Sequence, residues 1–321
     1  MALIVCPASR DDNNGNWRTA ERWARLIDPD WASAVVSIRD CLADPAIMAR
    51  ADVLVALHAK RSAAAIDAWC AARDSPVVVV MTGTDLYRDI LIDTHAQGSL
   101  AVAARLVVLQ PLGLAQLPER WRDKARSIMQ STALRRPARR AARHLRVLMV
   151  GHLRPEKSPE TWFDAVGSLA GDRRFRFDHI GAEFDVALGD EARALQRAVP
   201  NFRYLGGRPY PEVRRRMQSA HLLVHCSRLE GGAHVIMEAV CSGMAVLASR
   251  IDGNVGMLGM DYAGYFPWGD ATALAALLDH CASDRDGMLC ELNAQCANRA
   301  TLFEPERERR ALLDLLDELV P

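Results

Sequence analysis

Glu230 and Glu238 stand on either side of a glycine turn in Ser227-Arg-Leu-Glu230-Gly231-Gly232-Ala233-His234-Val235-Ile-Met-Glu238, an E-x7-E spacing. The apolar run Leu222–His225 before it reads as a strand, and Ala233–Ser242 reads as the helix after it. Glycines at such a turn let backbone N–H groups approach an anion, and the helix start adds partial positive charge. A carboxylate beside the turn can accept hydrogen bonds from sugar hydroxyls. A second element, Val150-Gly-His-Leu-Arg154-Pro-Glu-Lys157-Ser-Pro, joins the predicted strand Arg146–Val150 to the predicted helix Pro159–Leu169. Arg154 offers a bidentate fork and Lys157 a point charge, a pair suited to a diphosphate.

The N-terminal half carries three more polar loops: Pro7-Ala-Ser-Arg-Asp-Asp-Asn-Asn14-Gly15-Asn16-Trp-Arg18-Thr19, Leu57-His58-Ala-Lys60-Arg61-Ser62 and Thr82-Gly-Thr84-Asp85-Leu-Tyr87. Each follows a predicted strand and precedes a helical pattern, an anion-binding geometry. Together they offer the amides of Asn14, Gly15 and Asn16, the hydroxyls of Thr19 and Thr84, and the cations Lys60 and Arg61. That set fits a small anionic acceptor. Asp85 would repel an anion, so a sugar hydroxyl or a neighbouring cation is its expected partner.

The elements that position these loops are short apolar strands alternating with helices. Leu3–Cys6, Ala34–Ile38, Val53–Leu57, Val77–Met81, Arg105–Leu109 and Ala125–Gln130 form a first set of strands. Arg146–Val150, Phe175–Ile180, Phe202–Leu205, Leu222–His225, Ala245–Ala248 and Ala263–Phe266 form a second. Helices are expected at Trp17–Leu26, Arg61–Ala72, Pro159–Leu169, Glu191–Val199 and Ala233–Ser242, and through most of 271–321. Continuous apolar strands alternating with helices imply parallel sheets covered on both faces. The expected organisation is an N-terminal Rossmann-like domain over 1–131, a C-terminal one over 145–303, and a final helix over 304–321. Between the domains, 132–144 reads as a solvated basic linker rich in Arg. In two facing domains of this class, ligands bind at the carboxyl ends of the strands.

Length and composition agree: 321 residues suit two domains, and 50% apolar with 25% charged residues is the profile of a globular chain. Forty basic residues cancel forty acidic ones, which argues against a nucleic-acid partner. No apolar run reaches membrane-spanning length, and the N-terminus lacks the charged start of a secretory leader. The eight scattered cysteines, with no C-x-x-C pair, fit free thiols in a cytoplasmic protein. His221 and His225 sit at helical spacing but inside a strand pattern, so they read as strand-end residues and no metal site is assigned. The acidic pairs Asp28-Pro-Asp30 and Asp284-Arg-Asp286 fall outside the strand-to-helix loops.

The R-x-x-K loop, the E-x7-E element and the following Ala239-Val-Cys-Ser-Gly-Met-Ala-Val-Leu-Ala-Ser249 resemble the donor-binding half of retaining glycosyltransferases of family 4. That resemblance implies the GT-B fold, two Rossmann-like domains with parallel sheets facing a central cleft. It implies that Glu238 holds the ribose of a nucleotide sugar, Glu230 the hexose hydroxyls, and Arg154 with Lys157 the pyrophosphate. It also turns the amides of Gly232 to Val235 toward sugar and phosphate, with Gly231 in the same turn. The chain departs from the family at Gly232, where an aromatic is usual, and at His234, where an apolar or amide residue is usual. Over its whole length the sequence resembles a narrower group, the selenosugar synthases of selenoneine biosynthesis. The strings that carry this are N-N-G-N-W-R-T-A, T-G-T-D-L-Y, E-G-G-A-H-V-I-M-E, and Gly253-Asn-Val-Gly256 followed by Asp261-Tyr-Ala-Gly-Tyr-Phe. The resemblance implies transfer from a UDP-sugar, chiefly UDP-N-acetylglucosamine, to selenophosphate, with small molecules as the only substrates and no cofactor or metal. The alternatives are a conventional family 4 enzyme with a hydroxyl or thiol acceptor, a UDP-sugar 2-epimerase of the same fold, and a non-catalytic nucleotide-sugar sensor.

Overall fold

The computed structural model describes residues 1–9, 15–284 and 286–320. It divides into two compact units. The first unit holds Met1–Ser131, the Glu230–Gly232 turn and the chain from Phe303 onward; the second holds Thr132–Leu229 and Ala233–Leu302.

Six parallel strands build the first unit: β1 Ala2–Cys6, β2 Ser33–Ser37, β3 Val53–Leu57, β4 Val77–Met81, β5 Arg105–Val108 and β6 Ala125–Ser127. Their order is β2-β1-β3-β4-β5-β6. Side chains of a strand alternate between faces, so both faces need apolar residues. In β3, Leu54 and Ala56 pack with Ile66, Trp69 and Leu100 on one side. Val53, Val55 and Leu57 pack with Trp23 and Ile27 on the other. That second layer is completed by the C-terminal helix Pro305–Leu319, whose Leu312, Leu315 and Leu316 join the same cluster. Each such leucine contributes about 1.5–3 kcal/mol by burial. The final helix is therefore a core element of the first unit. Its Glu308, 1% exposed, accepts from Arg22 Nε (2.9 Å), Trp23 Nε1 (2.6 Å) and the Ser131 amide (2.8 Å).

The second unit is built the same way from β7 Leu145–Val150, β8 Phe175–Ile180, β9 Phe202–Tyr204, β10 Leu222–His225, β11 Ala245–Ser249 and β12 Tyr265–Phe266. All neighbours are parallel, in the order β12-β11-β10-β7-β8-β9. A doubly wound sheet reverses its winding at one point, and crevices open there at the carboxyl ends of the strands. In the first unit that point lies between β1 and β3, and in the second between β7 and β10.

Several boundaries move for local reasons. The strand expected at Ala34–Ile38 ends at Ser37, whose hydroxyl accepts from the Asp40 amide and starts the unpredicted helix Ile38–Ala43. The helix expected at Glu191–Val199 starts at Val186, because Asp185 caps it by accepting from the Leu188 amide. Ala125–Gln130 shortens to β6, Ala263–Phe266 to β12, and Ala233–Ser242 to the helix His234–Val240. The helix Tyr210–Ser219 is additional.

The basic segment 132–144 is largely exposed and without helix or strand over most of its length. Its backbone is docked on the second unit: the Arg135 amide donates to the Cys241 carbonyl (2.7 Å) and the Ala138 amide to Gln218 (2.9 Å). Gln218 Nε2 returns a bond to the Arg136 carbonyl, and His221 Nε2 meets the Ala141 carbonyl at 3.0 Å. Among the described residues no helix is long and apolar enough to cross a membrane.

Candidate functional site

At the switch point of the second unit the R-x-x-K loop meets the chain that follows β10. The loop after β7 runs through Gly151–Arg154 into a single 3-10 turn, Pro155–Lys157, and Ser158 turns in the left-handed region (φ 44°) to start the helix Pro159–Ser168. The chain after β10 leads to the E-G-G turn. The two loops are tied by the Arg228 amide donating to the Glu156 carbonyl (2.9 Å). Trp268 Nε1 donates to Ser158 Oγ (2.9 Å), and the Arg228 guanidinium lies 5.2 Å from the Trp268 ring centroid.

The cation loop is held from beneath. His179 on β8 is fully buried and its Nε2 meets the Gly151 carbonyl at 3.0 Å. Burial pushes its imidazole down to about 4, so the ring is neutral and can donate from Nε2 to that carbonyl. Gly181, at the end of β8, allows the approach: a Cβ there would stand 1.8 Å from the Gly151 oxygen. His152 Nδ1 accepts from the Ala182 amide (3.0 Å), and its ring stands edge-on to Phe184. The exposed Arg154 guanidinium lies 5.6 Å from the Phe184 ring centroid. Lys157 is half-buried, with its stem over Gly151.

Glu238 is 7% exposed and lies in the seven-residue helix His234–Val240. The Tyr210 phenol hydrogen-bonds its carboxylate and also Thr132. Burial, followed by the Glu238 charge, raises the Tyr210 phenol above its ordinary range. The Glu238 carbonyl accepts from Arg214 Nη1 and from Ser242 Oγ, both at 2.7 Å. Glu230, His234 and Val235 are half-buried, and Ala233 is buried. The expectation for Ala233 needs correction. Its amide donates to Met257 Sδ at 3.0 Å, so this N–H is spent inside the second unit.

Gly231 and Gly232 belong to the first unit. A Cβ on Gly231 would fall 2.6 Å from the Thr82 carbonyl, and one on Gly232 would fall 2.8 Å from Leu109 Cβ. The E-G-G turn therefore needs both glycines for close approach rather than for a left-handed backbone.

The acceptor-type loops of the first unit lie at the ends of β1, β3 and β4. Asn14 lies outside the described residues. Gly15 is exposed and starts the helix Gly15–Ile27, with Asn16 half-buried behind it. Thr19 is buried; its hydroxyl donates to the Gly15 carbonyl (3.0 Å) and accepts from Gln130 Nε2 (2.7 Å). Both hydroxyl functions are used internally, which corrects its expected placement at a ligand. Asp85 is corrected likewise. It is fully buried and accepts from the amides of Ala59 (3.0 Å), Thr82 (2.9 Å) and Gly83 (2.9 Å). Its carboxylate thus ties the β3 loop to the β4 loop. Lys60 is exposed and ion-paired with Asp93 at 2.8 Å, which raises its ammonium above the ordinary range. Arg61 is exposed, and Thr84 is half-buried.

A family model described as Glycosyl transferases group 1 matches residues 130–303. The chain belongs to this family. No curated protein matches the sequence. Among solved structures, HepE from Anabaena in complex with UDP and glucose is similar at TM-score 0.76 and 14% identity, covering 99% of both chains. A sucrose-phosphate synthase from Thermosynechococcus elongatus is similar at TM-score 0.83 and 16% identity, covering 99% of this chain and 98% of that one. A glycosyltransferase from Rickettsia africae reaches 0.74 at 13% identity, with 99% and 98% coverage. At these identities the likeness shows the fold: GT-B, with two six-stranded parallel α/β domains.

In this group 1 glycosyltransferase, sequence reasoning missed Tyr210, Arg214 and His179. Each supports a residue it did name. Tyr210-Pro-Glu-Val-Arg214 could have been read as a helix start with Pro in the first turn. Nothing in the local pattern marks Arg214 as buried. The acidic pairs take other roles. Asp30 pairs with Arg309, and Asp286 with His280 at 3.3 Å. Among the described residues no group of three His, Cys, Asp or Glu side chains could hold a metal ion.

Proposed function

We propose that the protein transfers a sugar from a UDP-sugar, chiefly UDP-N-acetylglucosamine, to selenophosphate. The coarser part of this reading, a glycosyltransferase of group 1, rests on family membership. The observation that carries the donor assignment is the buried Glu238 carboxylate, fixed by the Tyr210 phenol behind the E-x7-E turn. A fixed carboxylate is suited to accept two ribose hydroxyls. Glu230 then takes the hexose hydroxyls, and Arg154 with Lys157 neutralises the diphosphate as it leaves. The amides of Gly231, Gly232 and Val235, with His234, line the sugar–phosphate junction.

The reaction balances without a cofactor. Selenium attacks the anomeric carbon, the carbon–oxygen bond to the diphosphate breaks, and UDP departs. The sugar selenophosphate then exchanges its P–Se bond for a P–O bond from water, giving the selenosugar and phosphate. Selenium is a soft, anionic nucleophile, so the enzyme's tasks are positioning and leaving-group stabilisation. Asn14, Gly15, Asn16, Lys60, Arg61 and Thr84 are assigned to the acceptor side; Thr19 and Asp85 brace those loops. For the described residues among them, the position after the carboxyl ends of β1, β3 and β4 supports this.

Mass spectrometry of products from UDP-N-acetylglucosamine, with and without selenophosphate, tests the reading. A selenosugar with stoichiometric UDP supports it. UDP release only with a hydroxyl or thiol acceptor points to a conventional enzyme, and binding without any UDP release points to a sensor.

A further inference from the structure

His58 closes β3 at the switch point of the first unit, in the left-handed region (φ 72°). A bulky residue rarely sits there, and such strain persists only where the surroundings over-determine it. Here they do. The ring is 3% exposed and lies among Asp85, Asp89, Thr84 and the Arg61 backbone. Nδ1 stands 3.9 Å from Asp85 Oδ2, and Nε2 stands 3.9 Å from Asp89 Oδ2. Neither carboxylate takes a full hydrogen bond from the ring. Asp85 is engaged by backbone amides, and Asp89 accepts from Arg88 Nε at 2.9 Å.

The ring's real partners are two. Nδ1 accepts from the Arg61 amide at 3.3 Å, and Nε2 lies 3.2 Å from Thr84 Oγ1. Burial lowers the imidazole below its ordinary range, with Asp85 as the main opposing influence, so the ring is neutral near pH 7. A neutral ring that accepts at Nδ1 carries its proton on Nε2. That proton points at the Thr84 oxygen. The hydroxyl is then an acceptor toward the protein, and its own hydrogen is left for whatever occupies the half-exposed end of β4.

We infer that His58 is a positioning residue that locks the Thr84 hydroxyl as a hydrogen-bond donor to the anionic acceptor. The inference rests on reading the β3 and β4 loops as the acceptor side. It adds a basis for selectivity. A fully ionised phosphate-type oxygen has no hydrogen to give and needs donors, whereas an alcohol acceptor is best met by a group free to accept. A hydroxyl that is already committed as a donor favours the anion.

Two replacements separate positioning from packing. In His58→Asn the amide reaches only the Nδ1 position and tolerates the left-handed backbone, but loses Thr84. In His58→Gln the amide nitrogen reaches the Nε2 position and restores the donor. Kinetics with selenophosphate and UDP-N-acetylglucosamine are run beside calorimetric titration of thiophosphate into the UDP-loaded full chain. We expect His58→Asn to raise the selenophosphate KM and weaken thiophosphate binding by roughly tenfold each, the scale of one lost hydrogen bond to a charged partner, with UDP affinity unchanged. His58→Gln recovers most of that loss. Thr84→Val shows the same loss alone, and adding His58→Asn to it produces no further change. Equal defects in Asn and Gln variants, additive losses with Thr84→Val, or a thiophosphate affinity indifferent to both sites would overturn the inference. If the wild type binds thiophosphate through His58 yet makes no selenosugar, the proposed reaction fails while this inference stands. If it makes selenosugar with His58→Asn at full efficiency, the inference fails alone.

Discussion

The two units use the same architecture differently at their switch points. In the second unit the groups assigned to a ligand stand at the surface of a supported loop: Arg154 is exposed, with His179 and Gly181 bracing the turn beneath it. In the first unit the equivalent polar residues are largely spent on one another. Asp85 holds three amides, Thr19 holds Gly15 and Gln130, and Lys60 holds Asp93. A diphosphate leaving group needs cations that can be presented as point charges and forks. A small acceptor needs few donors at fixed positions, and fixing them consumes neighbouring polar groups.

The largest effect that would sharpen this contrast lies in the first unit's frame. Glu308→Ala removes the buried carboxylate that joins Arg22, Trp23 and Ser131. Breaking one side of such a pair costs about 3–5 kcal/mol. Urea unfolding followed by the fluorescence of the first unit's tryptophans should show a loss of that size. A shift below about 1 kcal/mol, the scale of a surface pair, would mean that the C-terminal helix is held by its leucines alone.

That helix also shows where the sequence stops being legible. Val53–Leu57, Val77–Met81 and Leu222–His225 were readable to the residue, because strands buried on both faces are largely continuous apolar runs. The helicity of Pro305–Leu319 was readable too, but not the unit it completes, since its partners Ile4, Trp23 and Val55 lie far away in the chain. The docking of 132–144 rests on backbone hydrogen bonds, which leave no mark on side-chain pattern. At the site, the E-x7-E and R-x-x-K spacings survive in the sequence because both partners are local. Tyr210, Arg214 and His179 act on those motifs from other elements, so no spacing announces them.

The next effect tests the donor side. Glu238→Ala should weaken UDP binding by about 1–3 kcal/mol, the scale of hydrogen bonds to a charged acceptor. Glu230→Ala should spare UDP affinity and reduce turnover, because it is assigned to the hexose. Calorimetry with UDP alone separates them, and unchanged affinity in both variants would remove the ribose assignment. Tyr210→Phe gives a milder form of the Glu238 effect, since it frees the carboxylate without deleting it.

On the acceptor side the expected effect is smaller and is read in a different constant. Lys60→Ala should raise the selenophosphate KM by roughly tenfold, with UDP affinity changed by less than about 0.5 kcal/mol. The Asp93 pair sets the comparison. If Asp93 merely holds Lys60 in place, Asp93→Asn gives a weaker version of the same defect. If Asp93 competes with the anion for the ammonium, Asp93→Asn lowers KM instead. A Lys60→Ala variant with intact selenophosphate kinetics would move the anion to Arg18 or to residues 253–256, which lie in the helix Asp252–Leu258.

The smallest expected effect is none at all, and it bears on the second unit's cations. Charge develops on the diphosphate as it leaves, and something must offset it. A metal-assisted enzyme of this reaction class does so with a cation held by clustered carboxylates. Here Asp30 is paired with Arg309, while Asp284 accepts from the Leu289 amide at 3.1 Å beside the Asp286–His280 pair. Arg154 and Lys157, in contrast, stand on a braced loop at the switch point. Turnover of UDP-N-acetylglucosamine with selenophosphate should therefore be the same in excess EDTA as in Mg²⁺. Arg154→Ala should lose turnover in both conditions, with added Mg²⁺ giving no rescue. Activity that falls in EDTA and returns with Mg²⁺ would transfer the leaving-group role from these side chains to a metal ion. Rescue of Arg154→Ala by Mg²⁺ alone would show that the two can share it.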